Sequence, residues 1–225
     1  MATQAPESPT TQRAALVAVT SRMLADLRKL WPSVAGPDLQ ALLRYDVLPS
    51  VANQYGEAAA TLAADWYDDL RDFYRVPGRF AAELAPQPAD ALLRAISNWA
   101  AAPAEAETPD FETALARTEG VTQKLVADMS RQTVMISTER DPNARGWGRF
   151  TEPGACDFCL MLSSRGGVYT SSTVRFGSHD HCHCLAGPVW DENRETVDAY
   201  QRSPRSDRQR AAQNRLARKW IREHL

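Results

Sequence analysis

The strongest regularity along the chain is the apolar series Val47, Val51, Tyr55, Ala59, Leu62, Trp66, Leu70 and Phe73. It steps by three or four residues, the repeat that lines one face of a helix. The spacing predicts a helix that Asp46 caps, that tolerates Pro49 in its first turn and that stops at Val76-Pro77-Gly78. Upstream, Leu16, Met23, Leu27 and Leu30 predict a first helix over 8–30, with Ser8 as N-cap, Pro9 in the first turn and Trp31-Pro32 at the end. A short helix over 37–45 carries Leu39, Leu42 and Leu43 on one side. Further on, Leu92, Leu93, Ile96 and Trp99 predict a helix over 88–101. A longer one opens at Thr108-Pro109 and runs to Ile136, with Phe111, Leu115, Thr118, Thr122, Leu125, Met129 and Thr133 on one face. Gly120 weakens its middle by roughly 1 kcal/mol relative to alanine. Each stripe has the width a helix needs to bury itself, so the stripes read as core and not as ligand pockets.

The pattern changes after Ser137. Residues 139–154 hold several helix breakers and no apolar period, and read as a linker. From there to Trp190 the chain is turn and short-strand material, with Gly166-Gly167 leading into Val168-Tyr169-Thr170 and a second extended run over 185–190; neither makes a sheet alone. Beyond a joint between Tyr200 and Asp207, a last helix over 206–224 puts Ala212, Leu216 and Trp220 on one face. The expected fold is mainly α: a helical bundle over 1–138, a linker over 139–154, a small α+β Cys/His module over 155–190 and a basic helical tail over 191–225. No internal repeat is present.

Composition narrows the class. A chain of 225 residues with 44% hydrophobic and 24% charged residues is neither disordered, collagen-like nor a disulfide mini-protein. No apolar run reaches the roughly 18–20 residues of a membrane span, and the first ten residues lack the basic start and apolar run of a secretory signal. The expected compartment is therefore a cytoplasm until assembly, with no membrane partner. The net charge of −2 hides an asymmetry. Arg202, Arg205, Arg208, Arg210, Arg215, Arg218, Lys219 and Arg222 stand against Asp207 alone, a net +7 that leaves −9 for the rest. Such a tail fits an anionic partner, either nucleic acid or an acidic protein face, or else a solvated helix that balances an acidic body. Lysine occurs only at Lys29, Lys124 and Lys219. The arginine preference therefore reflects base composition and not phosphate recognition.

All four cysteines and three of the four histidines fall in one short stretch, as Cys156-Asp-Phe-Cys159 and then His179-Asp-His-Cys182-His-Cys184. Thiols stay reduced in a cytoplasm, so disulfides explain the crowding poorly. Zinc explains it well. A Cys-x-x-Cys turn offers two thiolates to one ion, a second Cys/His pair closes the tetrahedron, and the ion supplies folding energy that a strand-poor segment lacks. Cys156 and Cys159 form one half of the set. The other half comes from His179, His181, Cys182, His183 and Cys184, with His179 and Cys182 preferred and Cys184 the nearest substitute. The alternative is a set of buried free cysteines acting as small apolar residues.

Catalytic readings of the same residues fail on spacing. A zinc deaminase needs His-x-Glu and a proline where Ala155 stands. Haem attachment needs a histidine where Leu160 stands. A thioredoxin-type site requires a strand before the Cys-x-x-Cys pair, and Pro153-Gly-Ala155 predicts none. Asp180-His181 resembles the start of an HNH-type nuclease site, which then needs Asn193, Asn214 or His224 at unsuitable spacing. No zincin helix, Walker loop or Gly-x-Gly-x-x-Gly motif is present. The expectation is a protein that is not an enzyme.

The stretch from Phe150 to Trp190 resembles the Mu F-like minor head proteins of tailed phages, in the form found in phages of high-GC Gram-positive hosts. The matching residues are Cys156, Cys159, His179, Cys182 and Cys184, followed by a short apolar strand, and the extra His181 and His183 depart from the pattern. The resemblance implies a non-enzymatic minor capsid protein of head morphogenesis. It would sit inside the virion head near the portal, be made in the host cytoplasm, and influence DNA packaging or ejection. The implied partners are portal, scaffold or major capsid protein, with non-specific DNA contact through Arg202–Arg222. An HNH-type metal-dependent nuclease and a free-standing zinc DNA-binding protein are the alternatives.

Overall fold

The computed structural model describes residues 9–151, 154–172 and 176–190. Helix α1 (Pro9–Val34) buries Leu16, Met23, Leu27, Trp31 and Val34. It runs through Pro32, where a stop was expected. A proline in the last turn removes only one backbone donor, and the Ala35 N–H closes the end on the Trp31 carbonyl at 2.9 Å. The expected cap, Ser8, lies outside the described residues.

The two helices expected on either side of Asp46 are one continuous run. It comprises α2 (Leu39–Leu42), a π-turn (Leu43–Val47), α3 (Leu48–Val51), a second π-turn (Ala52–Gly56) and α4 (Glu57–Phe73). Asp46 is no cap; it sits inside the first π-turn, where the Leu48 N–H reaches back to the Leu43 carbonyl. The cause is Pro49, which has no N–H and whose ring presses on the carbonyl four residues earlier. The wider turn makes room for it without breaking the helix.

The predicted stripe is buried at Val47, Val51, Ala59 and Trp66, but Leu62 and Phe73 are exposed. The inner face of α4 is instead Ala59, Ala60, Ala63, Ala64, Trp66, Tyr67 and Arg71. Small residues let this run approach α6 (Phe111–Arg140) closely. A Cβ on Gly56 would stand 2.2 Å from Met129 Sδ. Helix α5 (Asp90–Ala101) buries Leu93, Ser97, Ala100 and Ala101, leaving Leu92 and Trp99 exposed against expectation.

Helix α6 is the axis on which α1, α4 and α5 pack. Its cap is Asp110, whose carboxylate accepts the Thr113 N–H at 2.9 Å, and not Thr108. The expected face is buried at Thr118, Thr122, Leu125, Met129 and Thr133. The threonines can be buried because the hydroxyls of Thr118, Thr122 and Thr133 donate to carbonyls four residues back.

The stretch read as a linker contains β1 (Gly146–Phe150). It pairs antiparallel with β2 (Leu185–Val189), Gly146 opposite Val189 and Phe150 opposite Leu185. The run near Tyr169 adds only a bridge to Trp147. Between the strands lies the short helix α7 (Asp157–Ser163). Trp147 stacks on Tyr169 at 4.6 Å and on Phe176 at 5.9 Å. This aromatic group shares a core with Ala63, Trp66, Tyr67, Val134 and Met135 of the bundle, so the Cys/His segment is packed onto the helices. The structure is thus mainly helical with one small sheet and a Cys/His cluster beside it. The tail over 191–225 lies outside the described residues.

Candidate metal centre

Helix α7 begins at the Cys-x-x-Cys pair. Cys156 takes the extended cap conformation (φ −68°, ψ 158°), and its carbonyl accepts the Leu160 N–H at 3.0 Å. That geometry brings Cys156 and Cys159 to one side of the first turn. The second group follows Phe176, which is buried between two arginines. The ligand atoms of Cys156, Cys159 and His179 lie within 4.8 Å of one another, as do those of Cys159, Cys182 and Cys184. Cys159 belongs to both groups, which therefore adjoin at its thiol. Cys156 and His179 are exposed, while Cys159, Cys182 and Cys184 are buried. All four cysteines are free thiols. The 4.0 Å between the sulfurs of Cys159 and Cys182 is far too long for a disulfide. It is near the roughly 3.8 Å that separates two thiolates on one tetrahedral zinc with bonds of about 2.3 Å.

The two extra histidines are accounted for by α6. Gln123, a buried residue, accepts from His181 Nδ1 at 2.6 Å and donates its amide to His183 Nε2 at 2.7 Å. This arrangement requires the Nδ1–H tautomer in both rings. His181 also takes a left-handed backbone (φ 61°), which turns its ring out of line with its neighbours. Neither His181 nor His183 joins the group formed by the thiols and His179.

Three arginines fix the segment that carries the thiols. Arg131 of α6, fully buried, donates to the carbonyls of Cys184 (2.9 Å) and Cys182 (2.6 Å), to Ser178 Oγ (3.0 Å) and to Asp128 (2.6 Å). Arg13 of α1 donates to the carbonyls of Thr151 (2.9 Å) and His183 (3.4 Å). Arg149 of β1 donates to Cys159 Sγ at 3.4 Å and to the carbonyls of Phe176 and Gly177. Gly120 completes the seat, since a Cβ there would stand 3.0–3.2 Å from the Asp180 side chain. Sequence reasoning missed Gln123, Arg131, Arg149 and Arg13. One signal was present: Gly120, Gln123, Ala127 and Arg131 step by three, four and four along α6, a small and polar face on a helix whose opposite face is apolar.

Burial and the neighbouring Cys182 push the Cys159 thiol up to about 11. The Cys184 thiol and burial push Cys182 further above its usual range. Burial also opposes ionisation of Cys156, but the Cys159 N–H and thiol and His179 outweigh it and hold Cys156 below the ordinary thiol range. The Asp180 carbonyl raises His179. Soft donors crowded this closely ionise together only when a cation carries the charge, and that is the donor set of a thiophilic divalent metal.

No curated protein and no solved structure matches the chain. The family described as VG15 protein matches residues 4–212, nearly the whole chain, including the bundle and the Cys/His segment. The match bears out the phage resemblance at the level of the virion, and leaves the Mu F-like type and the capsid role as finer readings. The chain belongs to the VG15 protein family, a family of phage virion-associated proteins.

Proposed function

We propose that this protein is a minor capsid component of the Mu F-like type that acts in head morphogenesis, inside the head near the portal. In this reading one zinc ion is held by Cys156, Cys159, His179 and Cys182, with Cys184 the nearest substitute. The observation that carries the reading is the pair of three-residue Cys/His groups that share Cys159, in a segment seated on buried bundle residues. When bound, the ion supplies a tetrahedral cross-link between the start of α7 and the loop before β2. The protein supplies the rest. Gln123 holds the two remaining histidines, Arg131 holds the backbone of Cys182 and Cys184, and Arg13 ties the N-terminal helix to the same loop.

The reading is of a structural, non-enzymatic centre. Three of the thiols are buried, and the histidine an HNH-type nuclease would use, His181, is bonded to Gln123. Among the described residues no helix is long and apolar enough to cross a membrane. The partners in this reading are portal, scaffold or major capsid protein. The basic tail is assigned to docking on an acidic face of such a partner or to non-specific contact with packaged DNA.

The test is assembly. Phage carrying a nonsense codon in this gene should give heads that contain portal and major capsid protein but package or eject DNA poorly. Truncation after Tyr200 should abolish incorporation of the protein into procapsids. Normal infectious heads without the protein would overturn the capsid role. Divalent-metal-dependent nicking of plasmid DNA that His181→Ala abolishes would replace it with the nuclease. A footprint at one defined DNA sequence would replace it with the regulator.

A further inference from the structure

Arg149 is 5% exposed and sits in β1 opposite Ala186, with its side chain turned inward. Its guanidinium touches the thiol of Cys159 at 3.4 Å, the carbonyls of Phe176 and Gly177, and the face of Phe176 at 3.7 Å from the ring centroid. Arg131 covers the same ring at 4.7 Å. The two buried cations differ in one respect. Arg131 has a carboxylate partner in Asp128, whereas among the described residues no carboxylate pairs with Arg149. Carbonyls and a ring face stabilise a guanidinium, but they do not neutralise it, and an uncompensated buried charge is strongly unfavourable. Among the described residues, the group in contact with Arg149 that can become an anion is Cys159.

We propose that Arg149 is the counter-cation of the metal centre, a positioning residue that acts on the ion through its contact with Cys159 Sγ. The inference rests on the reading of the Cys/His cluster as a metal site. Contacts between a ligand and the groups behind it commonly set metal affinity by 10–100-fold. Phe176, between Arg149 and Arg131, keeps water from the pair and so keeps the charge interaction strong.

The experiment uses the full-length protein, stripped of metal and reloaded. Zinc affinity is measured by competition with a chromophoric chelator for the wild type, Arg149→Gln and Arg149→Lys. Glutamine can still donate to the Phe176 and Gly177 carbonyls but has no charge; lysine keeps the charge and loses the planar fork. The expected result is a loss of roughly 10–100-fold for Arg149→Gln, with Arg149→Lys recovering most of it. Glutamine binding zinc as tightly as wild type, or lysine losing as much as glutamine, would overturn the proposal, the second outcome making the carbonyl contacts the whole basis. The thiolate-to-cobalt(II) charge-transfer band gives an independent reading: it should move in Arg149→Gln and return in Arg149→Lys, and a band that moves in neither overturns the proposal. A wild-type protein that binds neither zinc nor cobalt refutes the metal reading itself, a result distinct from either failure of Arg149.

Discussion

Asp141 stands where the bundle hands the chain to the Cys/His segment, and replacing it with asparagine tests how the two are joined. Its carboxylate is wholly buried and accepts from the Arg71 guanidinium, the Tyr67 hydroxyl (3.0 Å), the Trp190 indole (3.2 Å) and the Asn143 N–H (3.0 Å). These partners come from α4, from the residue after β2 and from the turn before β1. Removing one member of a buried ion pair costs about 3–5 kcal/mol, because the other is left charged and unpaired. Arg71 would keep its bonds to the Pro77 and Gly78 carbonyls at 3.2 and 3.3 Å, so the lower end, about 3 kcal/mol, is expected. For a chain of this size that lowers Tm by roughly 6–12 °C. Urea unfolding followed by tryptophan fluorescence measures the loss. The double variant Arg71→Met with Asp141→Leu should be less destabilised than Asp141→Asn, since it removes both charges. Asp141→Asn within about 1 kcal/mol of wild type, with no coupling between the two sites, would refute the ion pair as the joint.

The same group sets a pH dependence. Burial works against ionisation of Asp141, but the bonds from Asn143, Arg71, Trp190 and Tyr67 outweigh it and hold its pKa below the usual carboxylate value. Its contribution is therefore complete above the unfolded value of about 4 and is lost as pH falls through the lower folded value; Asp141→Asn should lose that acid-side slope. Gly120→Ala should not bring the gain of roughly 1 kcal/mol usual in a helix interior, because its Cβ would press on Asp180. Chemical denaturation showing the full gain would mean the seat against α6 is loose. Gln123→Leu should cost about 1 kcal/mol by removing the bonds to His181 and His183, and should shift both imidazole resonances in NMR spectra while leaving that of His179 in place.

How much of this was legible in the residues depended on what carried the burial. The bundle was readable wherever leucine, valine or tryptophan marked the inner face, as at Leu16, Leu27, Val51 and Leu125. It was misread where alanine did the packing. The inner face of α4 is mostly Ala60, Ala63 and Ala64 with Tyr67 and Arg71, a pattern that apolar counting passes over. The break predicted at Asp46 failed because a π-turn absorbs a proline that an α-turn would not. Strand β1 was hidden for a similar reason. Its buried residues are Gly146, Trp147, Gly148 and Arg149, which show no alternation and include two residues usually read as loop.

The five candidate residues could be picked out because thiols and imidazoles at fixed spacing are rare and chemically constrained. The choice among them could not be made, since it depends on what each histidine touches from another element. Gln123 lies 58 positions from His181 and 60 from His183 in the chain, and no local pattern links them. Arg131 and Arg149 escaped for the converse reason. Arginine on a helix or in a glycine-rich run is ordinarily solvated, and only the folded chain shows both turned inward on Phe176.

The central claim is that a metal ion organises the segment between β1 and β2, and elemental analysis of the purified full-length protein tests it most directly. The account predicts about one equivalent of zinc per chain, lost in Cys156→Ser together with protease resistance over residues 150–190. Well under one equivalent of zinc in protein that retains its native circular dichroism and protease resistance would contradict it.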